Sequence, residues 1–193
     1  MQDWKELRDP LKLARLWPGL KFYSQQLETI QSVVDNSETI VVAGNMLGKD
    51  FVAGFICLWF FLVHREVRVV TTSVKDDHLR VLWGEIGRFI RTCQAPLNVE
   101  RGGPLVVNHR DVRKVRHGEV CPISYMRGMV SESGEGMAGH HAAHTLFVID
   151  EASGVDDVVY QAGSTWAARK LIFGNPNPCE NFFRRMVRDG DLA

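Results

Sequence analysis

A chain of 193 residues with 45% hydrophobic and 24% charged residues can bury one sizeable core, and is too apolar for a disordered or fibrous segment. Its 23 Lys and Arg balance its 23 Asp and Glu, so no global field draws nucleic acid and any such contact must come from a local patch. The four cysteines, Cys57, Cys93, Cys121 and Cys179, show no C-x-x-C spacing, which argues against a zinc site or disulfide framework and makes a reduced, cytoplasmic setting the expectation.

From the N-terminus, Met1 to Glu6 lacks the apolar run of a signal peptide. Trp4, Leu7, Leu11 and Leu16 stand loosely at helical spacing, with Pro10 as an interruption and Trp17-Pro18-Gly19 as a break. A helix is predicted over Ser24–Val34, with Leu27, Ile30, Val33 and Val34 on one face. Thr39–Ala43 reads as a buried strand and Phe51–Val63 as a buried helix too short to span a bilayer. Val67–Thr72 is a further strand, and Asp76–Cys93 a helix that turns Leu79, Leu82, Trp83, Ile86, Phe89 and Ile90 inward. Leu105–Val107 and Cys121–Val130 flank the basic stretch His109–His117 and predict an antiparallel or irregular β insertion. That stretch is able to meet a phosphate backbone, or is a solvated hairpin face. Leu146–Ile149 and Arg169–Phe173 are the remaining strands, the latter ending in Gly174-Asn175-Pro176-Asn177. Apolar strands alternating with helices predict an α/β fold, a mainly parallel sheet covered on both faces.

Two segments carry chemistry. Ala43-Gly44-Asn45-Met46-Leu47-Gly48-Lys49-Asp50 leaves a strand and enters a helix. Its glycines permit a turn that aims backbone N–H groups at phosphate oxygens, and Lys49 adds a point charge. Against the common G-x-x-x-x-G-K-[ST] pattern, Ala43 replaces the first glycine and Asp50 stands where a hydroxyl would touch Mg²⁺. About a hundred residues later, Leu146–Ile149 ends in the adjacent carboxylates Asp150 and Glu151, one able to hold Mg²⁺, the other to orient or deprotonate a water. Together these are the halves of a nucleotide triphosphatase site; taken singly, they are a turn and a helix cap. His140, His141 and His144 suggest a metal site, with His140 and His144 at i,i+4, but no helical apolar pattern or Cys or Glu ligand set accompanies them; Arg127 and His140 are positional candidates for a cation facing the γ-phosphate, which a neighbouring subunit's arginine would serve equally well.

From about Phe22 onward the chain resembles the ATPase domain of phage large terminase subunits, the motors that drive viral DNA into a capsid. The resemblance rests on Phe22-Tyr23-Ser24-Gln25-Gln26, similar to an adenine-side motif; on the phosphate loop; on Gly136–His144 leading into Leu146–Ala152; and on Gly174-Asn175-Pro176, similar to a coupling turn. It implies a RecA-like P-loop fold and ATP and Mg²⁺ as ligands. Phe22 and Gln26 would lie at the base, Lys49 and the loop at phosphate, Asp150 at the metal, Glu151 at the water and Asn175 at the γ-phosphate; Asp50, which departs from the usual pattern, is a second candidate metal ligand on the strength of its charge. It also implies double-stranded DNA, a homo-oligomeric ring, a portal and a small terminase subunit as partners. Residues 1–21 are expected as a helical lead-in, 22–180 as the ATPase core and 181–193 as a truncated segment, with no counterpart of the family's nuclease domain. The alternatives are a nucleotide-binding scaffold with little hydrolysis, for which Asp50 speaks, and a helicase-like, nucleic-acid-dependent ATPase.

Overall fold

The computed structural model describes residues 6–42, 48–130, 133–175 and 177–190; the expected loop residues Ala43, Gly44, Asn45, Met46 and Leu47 lie outside them, as does Pro176. In chain order the elements are α1 (Pro10–Leu13), α2 (Ser24–Asp35), β1 (Glu38–Val42), α3 (Lys49–Val63), β2 (Val67–Thr72), α4 (Asp76–Thr92) and the three strands β3 (Leu105–Asn108), β4 (Asp111–Arg116) and β5 (Glu119–Gly128). They continue with β6 (His144–Ile149), α5 (Asp157–Ser164), β7 (Arg169–Gly174) and α6 (Phe182–Gly190). Pro10 does not interrupt a helix but begins one. It sits at the first helical position, where its missing N–H costs nothing, and the Asp9 carboxylate caps the amides of Leu11 and Lys12.

All the strands join one seven-stranded sheet in the order β1-β7-β6-β2-β5-β4-β3. β1, β7, β6, β2 and β5 run parallel, and β3-β4-β5 are antiparallel. The β segment expected as an insertion is therefore an extension of the main sheet, because β5 pairs along its C-terminal half with β2. The result is a mixed α/β, RecA-like architecture.

Period-two alternation gives the sheet two cores. Val67, Val69, Leu146, Val148, Leu171 and Phe173 face the α1–α4 side, while Val70, Phe147, Ile149 and Ile172 face α5 and α6. On the first side α3 is the centre: every residue from Val52 to Phe61 is buried, each large side chain contributing roughly 1.5–3 kcal/mol of burial. α4 lays its whole predicted inward face against it. In α2 the buried positions are Gln26, Thr29, Ile30 and Val33; Leu27, expected on that face, is exposed. Among the described residues no helix is long and apolar enough to cross a membrane.

The parallel strands end in register, with Val42 opposite Gly174, Ile149 opposite Ile172, and Thr72 opposite Ile149. Whatever follows those ends meets along one edge, where open α/β sheets place their ligands.

Candidate active site

Three segments leaving that edge build the site. Gly48 caps α3 with a left-handed backbone, φ +67°, and a Cβ there would stand 2.7 Å from Gln26 Nε2. The backbone favours glycine, and a Cβ would also push the Gln26 amide aside. The Gln26 amide is held from two sides: its Oε1 accepts from the Tyr23 amide at 3.1 Å and its Nε2 faces the Gly48 carbonyl at 3.4 Å. Lys49, on the first turn of α3, then reaches across to the end of β6.

Alternation along β6 puts Asp150 on the same face as Leu146 and Val148, the face that α3 covers. Glu151 departs from the strand: its φ is +53°, a left-handed conformation costing a residue with a Cβ on the order of 1–2 kcal/mol. That turn brings both carboxylates to one cation. Lys49 Nζ lies 3.0 Å from Asp150 Oδ1 and donates a short hydrogen bond to Glu151 Oε1. The other Glu151 oxygen, Oε2, accepts from Asn175 Nδ2 at 3.1 Å, where β7 ends.

The cleft these residues enclose, about 370 Å³, is lined by Gly48, Lys49, Asp50, His78, Val81, Asp150 and Glu151. Three carboxylates thus face one ammonium. Burial pushes Asp50 up to about 6, helped by the charge of Asp150. Asp150 is raised by burial as well, against the pull of Lys49. Burial opposes the charge on Lys49, yet the hydrogen bond to Glu151 and the nearby Asp150 hold it above the ordinary lysine value, so it stays an ammonium at neutral pH. A second cavity of about 340 Å³ opens beside Lys49 between α2 and β1, with Gln26, Thr29 and Thr39 in its wall.

Of the residues expected here, Lys49, Asp50, Asp150, Glu151 and Asn175 come together, with Gln26 and Gly48 adjoining. Phe22 does not line either cavity; its ring packs 4.9 Å from Phe55 and 5.7 Å from Phe51, in the core beneath α3. His78 was not expected: its position in the first turn of α4 becomes meaningful only once β2 is known to lie beside β6.

The histidine and basic candidates find other partners. His140 is buried, hydrogen-bonded through Nδ1 to the Tyr125 hydroxyl at 2.6 Å and set against Trp166, while His144 packs on His64 at 4.2 Å. Burial lowers His140 below the ordinary imidazole value, so it supplies no cation at neutral pH. Arg127 is held by Asp111 at 2.6 Å. In the basic stretch, Arg110 pairs with Asp76 of α4, Arg113 with Asp111, Arg116 donates to the Arg65 carbonyl, and Lys114 is buried, donating to the carbonyls of Leu62 and His64 at the end of α3. Arg110, Lys114 and Arg116 thus tie the hairpin to α4, the end of α3 and the turn after it, while Arg113 pairs within its own strand.

No protein-family profile matches the chain. In sequence it is 29% identical over 181 residues to a probable terminase large subunit of Enterobacteria phage P7, covering 86% of this chain and 36% of that protein, so it spans about a third of its relative's length. In structure it is similar to a variant of the Thermus phage P74-26 large terminase ATPase domain, with TM-score 0.69, 16% identity and coverage of 90% of this chain and 72% of that one. It is also similar to the HK97 bacteriophage large terminase, with TM-score 0.69, 12% identity and coverage of 100% and 42%. The large terminase of thermophilic bacteriophage D6E follows at TM-score 0.55 and 16% identity, with coverage of 89% and 43%. The chain therefore has the fold of a phage large terminase ATPase domain and resembles, in sequence, a phage large terminase subunit.

Proposed function

We propose that this domain is the ATP-hydrolysing motor of a DNA-packaging terminase, coupling Mg-ATP hydrolysis to translocation of double-stranded DNA. The observation that carries the reading is the convergence of Lys49, Asp150 and Glu151 on one cleft, with Asn175 holding Glu151 from the end of β7. The oxygen donors of Asp150 and Asp50 suit a hard divalent ion, and Mg²⁺ bound there would neutralise charge on the phosphate oxygens.

The chain's own residues do the rest. Lys49 bridges both carboxylates. A polyphosphate at the end of β1 competes for that ammonium, and its departure leaves Glu151 Oε1 open to accept a proton from water. Asn175 keeps hold of Oε2 and so fixes the direction of the carboxylate. The cavity walled by Gln26, Thr29 and Thr39 is the place for the base. Residues 22–180 form the ATPase core in this reading, and residues 6–21 are built into it, with the Trp17 indole donating to the Phe89 carbonyl at 2.8 Å. A homo-oligomeric ring, the portal and the small terminase subunit belong to the same proposal as partners.

The test is Glu151→Gln, which keeps the shape but cannot take a proton. Calorimetry should find ATP binding retained while a phosphate-release assay finds turnover reduced by 10²-fold or more, the usual scale of general-base loss, about. Normal turnover removes Glu151 as the base, and absence of ATP binding by the unaltered domain removes the whole reading.

A further inference from the structure

His78 stands in the wall of the cleft with no role in the hydrolytic scheme. It offers a ring nitrogen that lies, with one oxygen each of Asp150 and Glu151, in a set of ligand atoms all within 4.8 Å of one another. Its Nδ1 is shielded from solvent and has no hydrogen-bond partner among the described residues. An orphaned buried imidazole nitrogen is costly unless something occupies it. Two atoms ligating one ion at about 2.1 Å are at most about 4.2 Å apart, so closing this set on a cation takes a movement of at least about half an ångström in its widest pair, within the reach of side-chain adjustment.

We propose that His78, with Asp150 and Glu151, forms a divalent-cation site of mixed nitrogen and oxygen ligands that prefers Mn²⁺ to Mg²⁺. This site shares with the proposed reading only a cation at Asp150: its other ligands are His78 and Glu151 in place of Asp50, and a metal-bound Glu151 must release the ion before it can act as the base. Mg²⁺ favours oxygen ligands and dehydrates reluctantly, whereas Mn²⁺, the weakest binder of the first-row transition series, still tolerates a nitrogen ligand that the later ions hold more strongly. Lys49 is the cation's competitor, since its ammonium already bridges both carboxylates. Metal alone binds against that competition, and binds better once a polyphosphate has drawn Lys49 away.

The probe is Mn²⁺ itself, added to the nucleotide-free protein and then in the presence of a non-hydrolysable ATP analogue, with electron-spin-echo spectroscopy for ¹⁴N coupling and titration of the free-ion signal for affinity. The bound ion should show imidazole nitrogen modulation that vanishes in His78→Ala. Mn²⁺ affinity should fall at least about tenfold in that variant, the loss caused even by outer-sphere partners, while Mg²⁺ affinity changes less. Lys49→Met should bind Mn²⁺ alone more tightly than the unaltered chain. Mn²⁺ bound without nitrogen modulation overturns the proposal whatever the variants do, as does equal Mn²⁺ affinity in His78→Ala with its helix content intact. Nitrogen modulation that persists while the ATP analogue leaves Mn²⁺ binding unchanged would uphold the metal site and sink the nucleotide reading; analogue binding without nitrogen modulation would do the reverse.

Discussion

Asn175 Nδ2 donates to Glu151 Oε2 at 3.1 Å, so the first residue after β7 grips the carboxylate that follows β6. Any displacement of Glu151 must pull on Asn175, and the reverse also holds. Asn175→Ala should lower kcat by roughly tenfold or more with little change in KM, since misaiming a reacting group costs rate more than binding. Asn175→Asp should be worse, because it sets a like charge against Glu151. Steady-state kinetics decide it, and an unchanged kcat in the alanine variant ends the positioning role.

Lys49→Ala should abolish ATP binding in calorimetry, because the described cleft has no other cation. It should also destabilise the empty protein by about 3–5 kcal/mol at pH 8, the cost of stranding a buried charge. Burial raises Asp150, and protonation relieves the stranded charge, so the deficit should shrink as pH falls towards 5. Thermal melts of both proteins across that range measure it.

Asp50→Ser should bind metal-free ATP better than the unaltered chain and show a smaller gain from Mg²⁺. A carboxylate about 5 Å from a phosphate charge is repelled by roughly 3 kcal/mol at an effective dielectric near 20, and its attraction to a divalent ion is about twice that. With Asp50 near 6, it is ionised at pH 8, where titrations with and without chelator should be run. Equal metal dependence in the two proteins would show that Asp50 takes no part at the phosphates.

Burial, helped by the Arg116 charge, pulls Lys114 down to about 8. Between there and the unfolded value near 10.5 the unfolded chain holds more protons, so this group contributes stability that rises with pH through that window and is absent below it. Relative to Lys114→Met, the unaltered protein should therefore gain up to about 3 kcal/mol between pH 8 and pH 10.5 in urea titrations. A flat difference would mean that the amine is solvated. Because Arg113 is already paired with Asp111, Arg113→Gln should leave the salt dependence of DNA binding unchanged in a binding titration.

Gly48→Ala should cost about 1–2 kcal/mol from its positive φ alone, and more from the contact with Gln26 Nε2. Adding Gln26→Ala should return the second part but not the first. The double-mutant cycle is then non-additive; additivity would show that the two do not touch.

Much of this fold was legible because its signals are local. The run Val52–Phe61, the inward face of α4 and the strand before Asp150 each declare themselves within a few residues. Lys49, Asp150 and Glu151 could be paired in advance because each ends an element that a parallel sheet aligns. Where the reading failed, the partner was tertiary. Arg110 reads as free charge until Asp76 is known to lie across from it, and His140 as a ligand until Tyr125 and Trp166 enclose it. Leu27 satisfied the helical period yet faces outward, because α2 buries the Gln26 and Thr29 side instead. For His78 the missing knowledge was strand order.

The sharing of β5 between the parallel and antiparallel parts of the sheet has a mechanical side. The β3-β4 hairpin is not a tassel on a hinge but a lever clamped at its root: tilting it shears the ladder from Arg68 to Thr71. β2 passes such a load to β6, its other neighbour, whose last rung, Ile149, precedes Asp150. Two strand spacings, about 10 Å, separate the root of the lever from the strand that carries Asp150, and stiff hydrogen-bonded rungs span the whole of that distance.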